Sequence, residues 1–156
     1  MSIFTLIILL ILLPVISAAV IIFINNLFIR GVVLFSFAAL GTALMAFILV
    51  YYCTAGIFIN NLSIIKFTDN ISFSLQIEPF TLLFASLISV LWPITVIYTV
   101  NYMKTMSAKG GKDKKSFYFF LSLSMAATLG IAFSGNLITT FLFYESLTLL
   151  TYPLVT

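Results

Sequence analysis

The chain has 156 residues, 63% of them hydrophobic and 7% charged, with a mean hydropathy of +1.27. A composition this apolar excludes a water-soluble domain of this length and marks an integral membrane protein. With no histidine and one cysteine, Cys53, neither an intrachain disulfide nor a His/Cys metal cluster can be assembled, which removes haem, iron–sulfur and zinc chemistry from this chain; the net charge of +3 comes almost wholly from one lysine-rich stretch, which speaks of membrane topology and anionic lipid and against nucleic acid.

Ile3 to Ile24 is an unbroken apolar run, about 33 Å long as a helix and so enough to span a bilayer. No Lys or Arg precedes it, and it continues well past Ser17-Ala18-Ala19. It therefore reads as a first transmembrane helix, bent at Pro14, and not as a cleaved signal peptide. Asn25-Asn26 and Arg30-Gly31 mark a connection. A second helix follows from Gly31 to Tyr52, extendable toward Ile59, with Tyr51 and Tyr52 as interfacial anchors. Gly31, Ser36, Ala38, Ala39, Gly41, Ala43 and Ala46 give this helix small-residue surfaces for close packing, and Cys53 reads as a buried packing residue.

From Asn60 to Ile77 the period changes. Ile64-Ile65-Lys66-Phe67, the turn residues Thr68-Asp69-Asn70, and the alternating run Ile71-Ser72-Phe73-Ser74-Leu75-Gln76-Ile77 predict a small β-hairpin at the membrane surface. Glu78-Pro79 opens a third helix, with proline in the first turn and the carboxylate near the positive end of the helix dipole. That helix runs from Phe80 to about Met103. Pro93 has no N–H for the Ser89 carbonyl, and Tyr98 and Tyr102 share one face.

Lys104 to Ser116 holds Lys104, Lys109, Lys112, Lys114 and Lys115 against Asp113, around Gly110-Gly111, and the positive-inside rule places this loop in the cytoplasm. Arg30 and the C-terminus then fall inside, the N-terminus and the hairpin outside. A fourth helix, Phe117 to Phe133, offers Ser122, Ser124 and Thr128 for polar contacts. Ser134-Gly135-Asn136 forms a turn, and a fifth helix continues from Leu137 to Tyr152, where Pro153 ends it. The fold class is thus all-α integral membrane, with about five transmembrane helices and an extracytoplasmic hairpin between the second and third. Residues 1–59 form two helices, 60–78 the hairpin and 79–156 three helices.

Glu145 stands out within this plan. It lies eight residues past Leu137, roughly 12 Å along the helix axis, close to the middle of a hydrocarbon core of ~30 Å. An ionised carboxylate there costs several kcal/mol unless it is protonated, paired or hydrated. Thr148 at i+3 and Tyr152 at i+7 share its face and are able to hydrogen-bond. The functional reading is a proton-carrying carboxylate; the structural one is a neutral acid bonded to a neighbouring helix.

Residues 70–156 carry a resemblance. Ile77-Glu78-Pro79-Phe80-Thr81-Leu82-Leu83-Phe84, Tyr98 and Asn101-Tyr102-Met103 form one block. Ser116-Phe117-Tyr118-Phe119-Phe120, Leu129-Gly130, Gly135-Asn136-Leu137, Phe143-Tyr144-Glu145 and Thr151-Tyr152 form a second, more specific one. Together they resemble the antiporter-like membrane subunits: the large proton-pumping subunits of NADH–quinone oxidoreductase (respiratory complex I), the paired large subunits of Mrp-type cation/proton antiporters, and their relatives in membrane-bound hydrogenases. The first two helices agree with that family only in kind.

The resemblance implies a glutamate on the fifth helix, here Glu145, at the entrance to a proton half-channel and paired with a lysine on a later helix. Approach of the ammonium favours the ionised acid, and its withdrawal favours the protonated one, so a distant redox or ion-gradient event can bias proton uptake and release. The resemblance also implies a multi-subunit complex in an energy-coupling membrane, a bacterial cytoplasmic membrane or an organellar inner membrane. NADH, quinone and redox centres would all sit on partner subunits, with no cofactor on this chain. Family members have about fourteen helices built on two inverted five-helix repeats. This sequence covers the first five and has no intramembrane lysine, so the expectation is an N-terminal portion of such a subunit, with another chain supplying the later helices and the lysine. A non-transporting scaffold or assembly protein, truncated or split, is the competing class. A catalytic centre is not expected, because no nucleophile–base pair, phosphate-cradling glycine loop or metal set is present in the sequence.

Overall fold

The computed structural model describes residues 3–55, 60–68, 71–108 and 115–155. Five helices occupy the five apolar stretches: α1 (Ile3–Phe23), α2 (Leu27–Ala55), α3 (Pro79–Ala108), α4 (Lys115–Ala132) and α5 (Leu137–Val155). Each contains a span long and apolar enough to cross a membrane. In hydrocarbon the backbone must satisfy its own hydrogen bonds, and a helix does so within a single segment. The chain is an integral membrane protein.

Several helix ends differ from the sequence expectation, for identifiable reasons. The connection after α1 is only Ile24 to Asn26, because Asn26 caps α2: its side-chain oxygen accepts the Phe28 N–H at 3.1 Å, and its carbonyl accepts the Arg30 N–H at 3.1 Å. Arg30 and Gly31 therefore lie inside α2 and not in a loop. At the lysine-rich end, α3 continues through Lys104 to Ala108 and α4 already begins at Lys115. The rest of the lysine loop, with Lys109, Lys112, Asp113 and Lys114, lies outside the described residues, as do residues 56–59 and the turn at Asp69-Asn70. Pro153 does not end α5, which runs on to Val155. A proline has helical φ, and so near the terminus its main cost is the single N–H it cannot give to Leu149.

α1 packs against α2 and α4, α2 against α3, and α4 against α5, with a lighter contact between α3 and α4. The small positions of α2 serve as expected: Gly31 faces Val100, and Gly41 faces the Trp92 ring. Two apolar clusters fill the bundle, one around Leu10, Met45, Ile77, Leu82 and Phe133, the other around Leu34, Trp92, Val96 and Tyr118. Cys53 is exposed, contrary to the packing role expected of it, because the end of α2 projects beyond its neighbours. Tyr52 is drawn into the first cluster, while Tyr51 stays at the surface.

One polar joint crosses the apolar interior. The Pro14 carbonyl accepts from Ser17 Oγ at 2.8 Å and from Ser122 Oγ at 2.9 Å, and the two hydroxyls also touch each other. Ser17 and Ser122 are both fully buried, so this joint ties α1 to α4 where no water competes.

β1 (Asn60–Thr68) and β2 (Ile71–Ile77) pair antiparallel between α2 and α3, with Asn60 opposite Ile77 and irregularities after Ser63 and Lys66. The other edge of β2 is occupied by the turn between α4 and α5. Gln76 N–H donates to the Phe133 carbonyl at 2.9 Å, Gly135 N–H donates to the Ser74 carbonyl at 2.8 Å, and Leu75 bridges Ser134. A pair of strands that would be marginal alone is thereby stitched to the helix bundle.

Ser122→Ala is expected to lower unfolding stability in mixed micelles by about 0.6–1.7 kcal/mol, the range for interhelical hydrogen bonds in membranes. Ser124→Ala, whose hydroxyl bonds to Leu121 within its own helix, is expected to cost less; an SDS titration followed by circular dichroism compares the two.

Candidate functional site on helix α5

Asn136 starts α5. Its side-chain oxygen accepts the Thr139 N–H at 2.8 Å and its carbonyl accepts the Thr140 N–H at 3.0 Å, the pattern of an N-cap. Thr139 is fully buried one turn further on, and its hydroxyl accepts the Ser74 N–H of β2 at 3.1 Å. The hairpin is thus bonded directly to the first turn of the helix that carries Glu145.

Below Thr139, the face of α5 turned to the protein continues at Phe143, Ser146 and Leu150, spaced four, three and four residues apart. Phe143 lies flat against Gly130 of α4, where any Cβ would overlap the ring. On its other side it meets Phe73 of β2, with ring centroids 5.7 Å apart at 52°. Ser146 and Leu150 line an apolar groove of about 420 Å³ shared with α1 and α4.

This lock sets the azimuth of Glu145. Two residues along a helix turn the side-chain direction by about 200°, so with Phe143 pressed into α4 the Glu145 side chain points away from the bundle. Phe141, Glu145, Thr148 and Tyr152 form the exposed stripe, Phe141 at 59% and Tyr152 at 71%. Glu145, Thr148 and Tyr152 therefore do share one face, and among the described residues no helix covers it. The Thr148 hydroxyl donates to the Glu145 main-chain carbonyl at 2.8 Å, so its single proton is directed to the backbone and not to the carboxylate. Among the described residues no basic side chain pairs with Glu145. Lys104 and Lys115 both lie at the end of the bundle where α3 stops and α4 begins.

A second acid, Glu78, sits just before α3. Its carbonyl accepts the Leu82 N–H at 3.0 Å and its carboxylate accepts the Gln76 side-chain amide, which completes a helix-start role. Sequence reasoning missed the role of Arg30, read only as a topology marker. It is 1% exposed and donates from Nε to Ile24 O and from Nη2 to Asn25 O, both at 2.8 Å. A guanidinium on the carbonyls that follow α1 meets the negative end of that helix's dipole. The signal in the sequence was its distance from the helix end: a long cationic side chain one turn into α2 reaches back to the preceding C-terminus.

No family model matches the chain. A 74-residue segment is 34% identical to the A1 subunit of the Na(+)/H(+) antiporter of Staphylococcus haemolyticus, covering 47% of this chain and 9% of that protein. A 75-residue segment is 32% identical to a Na(+)/H(+) antiporter subunit of the same type from Alkalihalophilus pseudofirmus, 48% of this chain and 9% of that one. The A1 subunit from Staphylococcus aureus is 35% identical over 74 residues, again 47% and 9%. The similarity thus spans about half of this chain and under a tenth of each of these relatives.

The contacts above separate the two sides of α5. Gly130→Leu is expected to destabilise the chain by about 1–3 kcal/mol through overpacking against Phe143, and Thr139→Val by a similar ~1–3 kcal/mol by leaving the Ser74 N–H without an acceptor. Glu145→Gln, on the open face, is expected to shift stability by less than about 0.5 kcal/mol. Equilibrium unfolding of the purified chain in micelles measures all three.

Proposed function

We propose that the chain is a portion of the large membrane subunit of a Mrp-type cation/proton antiporter and that Glu145 is an exchangeable proton site within it. The observation that carries this reading is the position of Glu145: a carboxylate near the middle of a membrane-length helix, on a stripe left open by the other four helices. An acid so placed is expensive against lipid and tolerable only against a partner, a proton or water. The similarity to proteins named as subunits of Na(+)/H(+) antiporters supports the antiporter branch of the resemblance. The complex I branch shares the same helix and the same proposed proton site, but no redox group is assigned to this chain in either case.

In this reading the open stripe meets a helix of another segment or another chain that bears an intramembrane lysine. When the ammonium is near, the carboxylate is held ionised; when it moves off, the acid takes a proton from the adjoining water path. Thr148 and Tyr152 flank the site, with Tyr152 the one whose hydroxyl is suited to contact the incoming group. The lysine-bearing end of the bundle faces the cytoplasm and the hairpin the opposite side.

The test is proton movement in vesicles of native membranes, comparing wild type with Glu145→Gln and Glu145→Asp at matched abundance. An imposed sodium gradient and NADH oxidation serve as separate driving forces. Loss in Glu145→Gln with partial retention in Glu145→Asp, under the sodium gradient, is the expected result. Loss only under NADH oxidation would move the chain to a respiratory complex. Unchanged movement in Glu145→Gln under both would leave a structural acid in a scaffold protein.

A further inference from the structure

An apolar groove of about 230 Å³ runs between α2 and α3 on the outer surface of the bundle. Phe28, Val32 and Phe35 form one wall, and Ile97 and Val100 the other. Three of these side chains face well outward, Phe28 at 64%, Val32 at 49% and Ile97 at 49% exposure, so the groove opens sideways into the bilayer. Its polar side chains, Asn101 and Lys104, both stand at one end.

The Lys104 ammonium lies 5.6 Å above the Phe28 ring, which holds a cation at the groove mouth, and among the described residues no carboxylate pairs with it. The same end of the bundle carries the buried Arg30 guanidinium and the Lys115 ammonium, which reaches the Asn25 side chain. A second apolar groove, beside Ile22, Phe119 and Phe120, also ends in a lysine, Lys115. The grooves along α5 have no charged residue in their walls. From Lys104 to Val96 is eight residues, about 12 Å of helix, against about 15 Å for half of a ~30 Å hydrocarbon core. The groove therefore has the length of one leaflet, a cationic end at the headgroup level and apolar walls below.

We propose that this α2–α3 groove is a binding site for an anionic phospholipid, with the phosphate on Lys104 and Asn101 and one acyl chain along Phe28, Val32, Phe35, Ile97 and Val100. A free anion would leave the apolar walls unused. A peptide would bring backbone N–H and C=O groups to walls with no partner for them. An amphiphile with one negative end matches both halves of the site.

The experiment is native mass spectrometry of the full chain in mild detergent, with equal amounts of dioleoyl phosphatidylglycerol and dioleoyl phosphatidylcholine. The wild type is expected to retain phosphatidylglycerol about five-fold over phosphatidylcholine, the factor for one lysine at an anionic surface. Lys104→Gln is expected to remove that preference, and Ile97→Trp, which fills the groove, to lower retention of both lipids. Circular dichroism checks that each variant keeps its helices. Three results would overturn the site: equal retention of the two lipids by wild type; a preference that survives Lys104→Gln and disappears in Lys115→Gln; or displacement of phosphatidylglycerol by inorganic phosphate at millimolar concentration, which would mean that the acyl chain contributes nothing.

Discussion

The ring of Phe143 against Gly130 is the contact on which the rest of the site depends. Helices in lipid gain little from hiding apolar surface, since the surroundings are equally apolar, so they are fixed by close steric fit and by hydrogen bonds. α5 has one of each on its inner side: the Phe143–Gly130 fit, and the Thr139 hydroxyl on the Ser74 N–H. Both act within the first two turns. They set the rotation of the whole helix, and the outward direction of Glu145 follows from them without any contact made by Glu145 itself.

The same sparing use of polar groups governs the remainder of the bundle. Buried polar groups are few, and the prominent ones stitch elements to one another. The Pro14 carbonyl and two serines tie α1 to α4, Arg30 closes the end of α1, and Asn26 and Asn136 begin α2 and α5. The hairpin joins this scheme by backbone bonds to the α4–α5 turn. In a medium without water these bonds have no solvent competitor, and so a small number suffices to specify how the helices are joined.

How much of this was legible in the sequence follows from the kind of information hydropathy holds. Five spans, the β2 alternation and the turn at Ser134-Gly135-Asn136 were readable, because apolar length and period two are one-dimensional signals. The depth of Glu145 along its helix was readable for the same reason. The azimuth of α5 was not: Leu, Phe and Thr occupy all sides of that helix, so no apolar stripe marks its inner face, and the decisive pair, Phe143 and Gly130, lies on two different helices. Helix ends were misplaced where a single side chain decides them, as Asn26 does for α2, and Pro153 was overweighted because a proline close to a C-terminus has few bonds left to break. The burial of Arg30 required knowing that the carbonyls after α1 stand within reach.

The one-sided attachment of α5 also has a consequence for assembly. A helix bonded along a single edge is the part of the molecule with the fewest contacts to lose, and so the first to open when the bundle loosens. Whatever covers its outer stripe adds to its stability by mass action, in proportion to occupancy. α5 is then the element whose protection from exchange and proteolysis reports whether the chain is alone or assembled, and its life in the membrane is set by the abundance of its neighbours as much as by its own sequence.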